Sequence, residues 1–506
     1  MLRFYLPLSD TFGQEWITRN AHAIGPDSHP LRATISLEEG VLTVDRRDLV
    51  ATAVALLYPV GELGQLTLQT CLLPDRDHPY RLSIELARHR LMNLYALLEE
   101  WAMFDLPQDH PVHRRAREAR QAFIEALCVV HDDPAAADHH AHNALIAAID
   151  ASEELALAHA ELLLERRIQT GKLPPHALGI GVPLAHASDH AMKILAGVGS
   201  LVALQCPWNA LAPEEDGNRW DDMDRWVDWA SERNIPLAAG PLISFETGHV
   251  PDWVYIWEHD FETIRDLIYD HVERVVTRYK DRVAVWNVVS GLHVNQNFPF
   301  SFDQVMDITR TATRLVKRIQ PVSRALIGLR QPFGEYFAAN VRSIPPALYA
   351  DLVVQAGNVF DGFSLQILMG QAQPGQFCRD LMQLATLIDR YGALGKPLQV
   401  VIGVPSSPVT SEMINDTDSD LPADSECGIW RRPWNATVQG HWLEAVTQIA
   451  ASRPFVETVL WKEVVDHPDM SLPLAGLLAE NLEPKPAAAR LLELRKRFNL
   501  QPQQPA

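Results

Sequence analysis

A chain of 506 residues exceeds one ordinary domain, for which about 150 residues is typical, and its 47% hydrophobic content supplies a large core and excludes global disorder. A formal charge of -20 at pH 7, with a pI near 5.4, opposes attraction to phosphate backbones and anionic lipid, so nucleic acid is not an expected partner. No run reaches the roughly 18 uncharged apolar residues of a membrane span, so no membrane partner is expected either.

Five cysteines (Cys71, Cys128, Cys206, Cys378, Cys427) lie without short spacings. That fits neither a disulfide framework nor a thiolate metal site, so reduced, buried thiols and no metal or cofactor are expected. The opening MLRFYLPLSDTFGQEW lacks the charged and apolar regions of a secretory signal, which predicts a cytoplasmic location.

In chain order, residues 1–80 read as a small β-sheet or β-sandwich domain. LRATISLEEGVLTVD, VATAVALLYPV and LGQLTLQTCLLP alternate branched apolar with polar residues around turn signals. Over residues 81–170 the period changes. RLSIELARHRLMNLYALLEEWAMF, HRRAREARQAFIEALCVV and HHAHNALIAAIDASEELALAHAELLLERR repeat apolar residues at three and four, predicting a helical hairpin or bundle with loops at DLPQDHPV and HDDPAAAD.

From residue 174 to 500, eight strand-like runs (ALGIGV, LVALQC, PLAAGPLI, VAVWNVV, ALIGL, GFSLQI, LQVVIGV, TVLWKEV) alternate with helical text such as FETIRDLIYDHVERVVTRYKD. The fold class is therefore α/β, with a (β/α)8 barrel describing this alternation better than an open doubly wound sheet. No GxGxxG or P-loop turn supports nucleotide binding.

Barrel chemistry gathers at the carboxyl ends of the strands. That rule nominates Trp208 and Asn209, Ser244 to Glu246, Ser290 to Asn297, Gln331 to Tyr336, Gln366, Ser406 and Ser407, and Trp461 to Asp466. Indoles beside amides and acids suit a polyhydroxylated ligand, whose rings have apolar faces and hydroxyl rims. Each residue also has a plain structural role open to it: Trp208, Trp286 and Trp461 as fillers of barrel layers, and Glu246, Glu335 and Glu463 as solvated or salt-bridged loop residues. Asp361 opens the sixth strand and should face away from the cleft. His249 and His293 lack metal spacing, and Ser290 and Ser406 lack a nucleophile elbow.

Over residues 174–500 the chain resembles the glycoside hydrolase family 10 endo-1,4-β-xylanases. AAGPLISFETGHVPDW is similar to their GHTLVWH and PxW segments, WNVVSG stands where they carry WDVVNE, and FDGFSLQ matches their sixth strand. QVVIGVP stands at their ITELD strand, and TVLWKEVVDHPDMSLPLAGLLAENLEPKPAAARLL resembles the last strand and terminal helix. The resemblance implies a retaining mechanism in which one Glu protonates the leaving oxygen and another, about 5 Å away, attacks. Carried onto this chain, the acid/base position is Gly291 and the nucleophile position Gly403, neither able to do that chemistry. Pro213, Glu214, Trp220, Trp253, Gln366 and Trp461 are retained in type as scaffold or subsite residues.

The resulting expectation is a saccharide-binding protein without the standard retaining mechanism, with Trp208, Asn209, Glu214, Ser290, Asn295, Gln366 and Trp461 contacting ligand. One alternative is an active glycosidase using relocated carboxylates, Glu246 and Glu463. Another is a structural or interaction scaffold, with the helical segment mediating homo-oligomerisation.

Overall fold

The computed structural model describes residues 1–7, 20–47, 50–186, 192, 195, 200–215, 217–409 and 427–500. Its centre is a closed barrel of eight parallel strands: β9 (Leu178–Pro183), β10 (Leu201–Gln205), β11 (Leu237–Gly240), β13 (Val285–Ser290), β14 (Arg324–Leu329), β15 (Gly362–Leu368), β16 (Leu398–Gly403) and β18 (Val456–Trp461). Each strand pairs with its neighbours, and β11 meets β13 through Ala238 opposite Val285 and Ala239 opposite Trp286, which closes the ring. A two-residue extension, β12 (Ile243–Ser244), follows β11 past Gly240 and Pro241. Gly291 thus follows the fourth strand, and Gly403 ends the seventh.

The strands form because their branched apolar runs bury both faces, as a parallel sheet inside helices requires. Leu201, Ala238, Val401 and Leu460, from four different strands, form one apolar cluster with Ala203 and Val285. Trp286 faces the other way, its indole donating to Gln320 Oε1 (3.1 Å) at the end of a surrounding helix. The barrel helices are α5 (Asp221–Glu232), α6 (Phe261–Arg278), α7 (Phe302–Ile319), α8 (Pro346–Gln355), α9 (Leu381–Gly392), α10 (Ala436–Ser452) and α11 (Pro486–Arg497), with one short turn, α4 (Trp208–Leu211), after β10. Both α7 and α9 begin with capping boxes, Ser301 with Gln304 and Asp380 with Gln383. The helix α8 has no counterpart among the predicted runs, because PPALYADLVVQ is apolar on nearly every side and carries little period.

Ahead of the barrel lie two sheets. One has the order β4 (Ala33–Glu38), β5 (Val41–Arg46), β1 (Leu2–Tyr5), β8 (Tyr80–Arg81). The other runs β17 (Ile429–Trp430), β7 (Gly64–Gln69), β6 (Ala53–Pro59), β2 (His22–Ile24), β3 (Pro30–Leu31). The strand β17 comes from the connection after β16, so the amino-terminal sheet is completed by the barrel.

Three helices follow the sheets: α1 (Leu82–Glu100), α2 (Pro111–Val129) and α3 (Pro134–Gln169). The last has 36 residues and begins inside the predicted loop HDDPAAAD. Asp133 caps it by accepting from Ala136 N (3.0 Å), and Pro134 takes the first helical position, where its missing N–H costs nothing. This segment is fastened to the barrel. Arg90 reaches Asp380 at 2.9 and 2.5 Å, and Arg167 donates to the carbonyls of Ala451 and Arg453 at 2.5 and 2.6 Å. Among the described residues no helix is long and apolar enough to cross a membrane. All five cysteines are free; Cys128 is exposed and Cys71 partly so, which corrects the expectation that all would be buried. Cys128 closes the outer helix α2, whose buried residues are only Val112, Ala116, Ala119 and Ala126.

Candidate functional site

The strands deliver a polar network to the carboxyl mouth of the barrel. Arg330, one residue past β14, crosses the opening: its guanidinium pairs with Glu246 and donates through Nε to Gln366 Oε1 (3.1 Å). His293 fixes the backbone beneath it, its Nε2 donating to the Arg330 carbonyl (2.9 Å) while the ring stacks on Tyr349. Burial holds this imidazole down at about 4, so it remains neutral and serves as a strut. His249 lies 3.5 Å from the other Glu246 oxygen. Burial also lowers His249, to about 4, against the pull of Glu246.

Burial by itself would raise the Glu246 carboxyl, but Arg330, His249 and Lys462 together outweigh it and hold the group below the ordinary carboxylate range. An acid held ionised is a poor proton donor and a good acceptor of hydroxyl protons.

Across the mouth, Lys462 follows β18 and donates to Gln205 Oε1 (2.5 Å), while the Gln205 amide returns a bond to the Lys462 carbonyl (2.9 Å). Its neighbour Glu463 is 2% exposed, with Oε1 3.5 Å from the Lys462 ammonium and Oε2 without a hydrogen-bond partner. Asn209 Oδ1 and Asn287 Oδ1 are likewise buried and unpartnered. Unsatisfied buried acceptors are costly, and such groups at or near strand ends are free to take donors such as hydroxyls.

The surroundings of the two glycines differ. Gly291 has φ +68°, a left-handed conformation that disfavours other residues, and a Cβ there would stand 2.8 Å from Arg330 Cδ. A Cβ at Gly403 would meet Leu368 Cδ2 at 3.1 Å, Lys462 Cβ at 3.3 Å and Leu472 Cδ2 at 3.5 Å. Leu368 and Leu472 join Met470 and Ala475 in a small apolar cluster.

Of the residues expected to contact ligand, Gln366 joins the Arg330 network and Asn209 stands at the mouth, but two indoles do not. Trp208, 2% exposed, stacks on His271 at 5.0 Å and meets Trp253 edge-on at 6.0 Å. Trp461, 1% exposed, donates to the Ala475 carbonyl (2.9 Å). Neither has surface to offer a sugar ring, so both fill the scaffold instead. Asn295 also has a structural task, its amide donating to the Phe300 and Arg342 carbonyls at 2.8 and 3.1 Å. Ser290 is buried beside Gly328, and Glu214 is exposed on the loop after β10.

Glu335 is buried and paired with Arg379, away from solvent. Asp361 receives Lys317 (3.0 Å) and Ala325 N (2.7 Å) at the amino end of the barrel, facing away from the cleft. Arg330 and Gln205 were missed, and Lys462, inside the nominated stretch Trp461 to Asp466, was given no role of its own. The strand-end rule reaches all three, but a search for acids, amides and indoles passes over the cations Arg330 and Lys462 that organise them. Among the described residues no group of three or more His, Cys, Asp or Glu side chains could hold a metal ion.

Residues 186–304 match the family model described as Glycosyl hydrolase family 10. The chain is 29% identical over 110 residues to endo-1,4-beta-xylanase A of Xylanibacter ruminicola, a stretch covering 20% of this chain and 29% of that protein. It is 24% identical over 86 residues to endo-1,4-beta-xylanase B of Thermotoga neapolitana, covering 17% of this chain and 24% of that protein. The matched stretches therefore span less than a third of these relatives' length. Among solved structures, native xylanase 10B from Thermotoga maritima aligns with a TM-score of 0.48 at 16% identity, covering 66% of this chain and 99% of that one. The closed eight-stranded barrel and the match over its second to fourth strands make this chain a distant relative of Glycosyl hydrolase family 10.

Proposed function

We propose that the barrel mouth binds a saccharide and that the two-carboxylate retaining reaction does not operate in it. The observation that carries this reading is the placement of Arg330. Its side chain fills the volume beside Gly291, where a proton donor would stand, and its guanidinium engages the nearest acid, Glu246. At Gly403 the neighbouring volume belongs to Leu368, Leu472 and the Lys462 stem. General acid catalysis typically contributes about 10² to 10⁴ in rate, and the covalent route needs its nucleophile as well. What is left suits recognition: acceptors without hydrogen bonds on Glu463, Asn209 and Asn287, and the donors Lys462 and Arg330 just past the eighth and fifth strands.

A second reading is favoured by Glu463 alone, whose buried Oε2 makes no hydrogen bond and lies 3.9 Å from His467 Nε2, a carboxylate beside an imidazole. In that reading Glu246 acts as base and Glu463 as acid. The test is incubation with xylo-oligosaccharides and aryl glycosides, following reducing ends and released aglycone. The binding reading predicts no turnover in the intact protein and weaker oligosaccharide binding in Glu463→Ala. Turnover that disappears in Glu246→Ala or Glu463→Ala would replace it with the relocated mechanism.

A further inference from the structure

Two of the five free cysteines meet across a seam between distant parts of the chain. Cys378 lies in the connection from β15 to α9, and Cys427 stands just ahead of β17 in the connection from β16 to α10. Both are buried, and both belong to the joint with the amino-terminal sheet. The Cys378 carbonyl accepts from Thr67 N (2.7 Å) on β7, while Ile429 and Trp430 of β17 pair with Gln65 and Gly64 of the same strand.

Across the seam, Cys378 N donates to the Cys427 carbonyl (2.8 Å). In a sheet, residues joined by such a bond have Cα atoms about 5.5 Å apart, and a disulfide spans about 4.4 to 6.8 Å between Cα atoms. The segments come this close because residue 428 is a glycine. Its φ is +88°, and a Cβ there would stand 2.6 Å from the Gln65 carbonyl oxygen and 3.0 Å from Cys378 Cβ. The side chains face each other as well, the Cys378 thiol donating to the Cys427 sulfur. That bond holds the Cys427 thiol below its ordinary value, whereas burial keeps the Cys378 thiol well above it. Cys427 is therefore the sulfur that ionises first and attacks an oxidant.

We propose that Cys378 and Cys427 are a redox pair, joined as a disulfide in oxidising surroundings and open as two thiols in reducing ones, whose bond locks the connections after the sixth and seventh strands together beside β7. The oxidant is a small peroxide. The Cys427 thiolate attacks hydrogen peroxide and breaks its O–O bond, giving a sulfenic acid; the hydroxide released takes up the proton that Cys427 lost and leaves as water. The Cys378 sulfur then attacks the sulfenic sulfur, the S–O bond breaks as the S–S bond forms, and the departing hydroxide carries off the Cys378 proton as a second water. Two thiols lose two electrons and one peroxide gains them. Because β17 is only two residues long and begins two positions past Cys427, the bond anchors a strand that has little pairing of its own.

The experiment treats the intact wild-type protein with hydrogen peroxide or with dithiothreitol, unfolds it in the presence of a maleimide, and maps the peptides by mass spectrometry without reduction. The expected result after peroxide is one cross-linked pair of peptides carrying Cys378 and Cys427, lost again on adding dithiothreitol. Thermal denaturation of the oxidised protein should show a Tm a few degrees above that of the reduced one, and limited proteolysis near Trp430 should slow. In Cys378→Ser and Cys427→Ser the peroxide-dependent shift should vanish; the peptide map is read on the wild type, so a variant that misfolds leaves the test standing. Both sulfurs still alkylated after peroxide, sulfinic acid at Cys427 without a cross-link, or either cysteine bonded instead to Cys71 or Cys128 would overturn the pair. A cross-link that leaves Tm and cleavage unchanged would overturn the lock.

Discussion

With its guanidinium shared between Glu246 and Gln366, Arg330 ties together the rims of the third, fifth and sixth strands. Replacing it by leucine leaves Glu246 buried enough to miss a partner, because only 21% of that side chain is exposed. The expected loss for Arg330→Leu is roughly 2 kcal/mol at neutral pH, read by chemical denaturation. The pH dependence fixes the cause. Glu246 is depressed in the folded protein, so its stabilisation is complete above the ordinary Glu value of about 4.3 and disappears as pH falls through the lower folded value. The gap between wild type and variant should therefore shrink on acidification; a gap independent of pH would mean lost packing alone. Sequence placed Glu246 at the mouth correctly but not its partner, because the two are 84 positions apart and share no local pattern.

At the scale of elements, Glu153 on α3 joins the helical segment to the barrel. Its carboxylate accepts from Leu381 N (3.1 Å) at the start of α9, from the Trp430 indole (2.7 Å), and from Arg431 at 3.0 and 2.6 Å. One buried acid thus satisfies an orphan helix N–H and pins the segment that carries β17. Glu153→Ala should cost about 2 kcal/mol, since it strands the Leu381 N–H and the buried Trp430 indole N–H, while the exposed Arg431 keeps Asp150 at 3.3 Å. Limited proteolysis should then cut first near Trp430, whereas uniform cleavage across the chain would place the damage elsewhere. The helical period announced α3 as a helix, yet a buried Glu in an apolar stripe reads from sequence as an exception to that stripe. Its reason lies about 230 and 280 residues further along the chain.

For the whole molecule, several histidines are sealed inside and neutral. Burial lowers His271 to about 3 and His293 to about 4, each well below the ordinary value of about 6.5. In the unfolded chain they take up protons as pH falls below that ordinary value, while in the fold they do not. Stability should therefore decline from about pH 6.5 downward, with a slope near 1.4 kcal/mol per pH unit for each such histidine, flattening near the folded values. Thermal denaturation across that range checks it, and substitution of His293 by Gln should reduce the slope by the share of one group. A slope unaltered in that variant would exclude His293 from the acid sensitivity.

The sequence by itself determined the eight strands of the barrel, their order, most of the helices between them though not α8, and the glycines at the ends of the fourth and seventh strands. Apolar period and capping chemistry act between residues a few positions apart, so a linear reading recovers them. It could not tell that Trp208 and Trp461 turn into the scaffold, that Arg330 occupies the space beside Gly291, or that β17 pairs with a strand more than 350 residues earlier. Those outcomes depend on which distant surfaces meet. That is settled by packing and by the pairing of buried charges, and neither leaves a period in the chain.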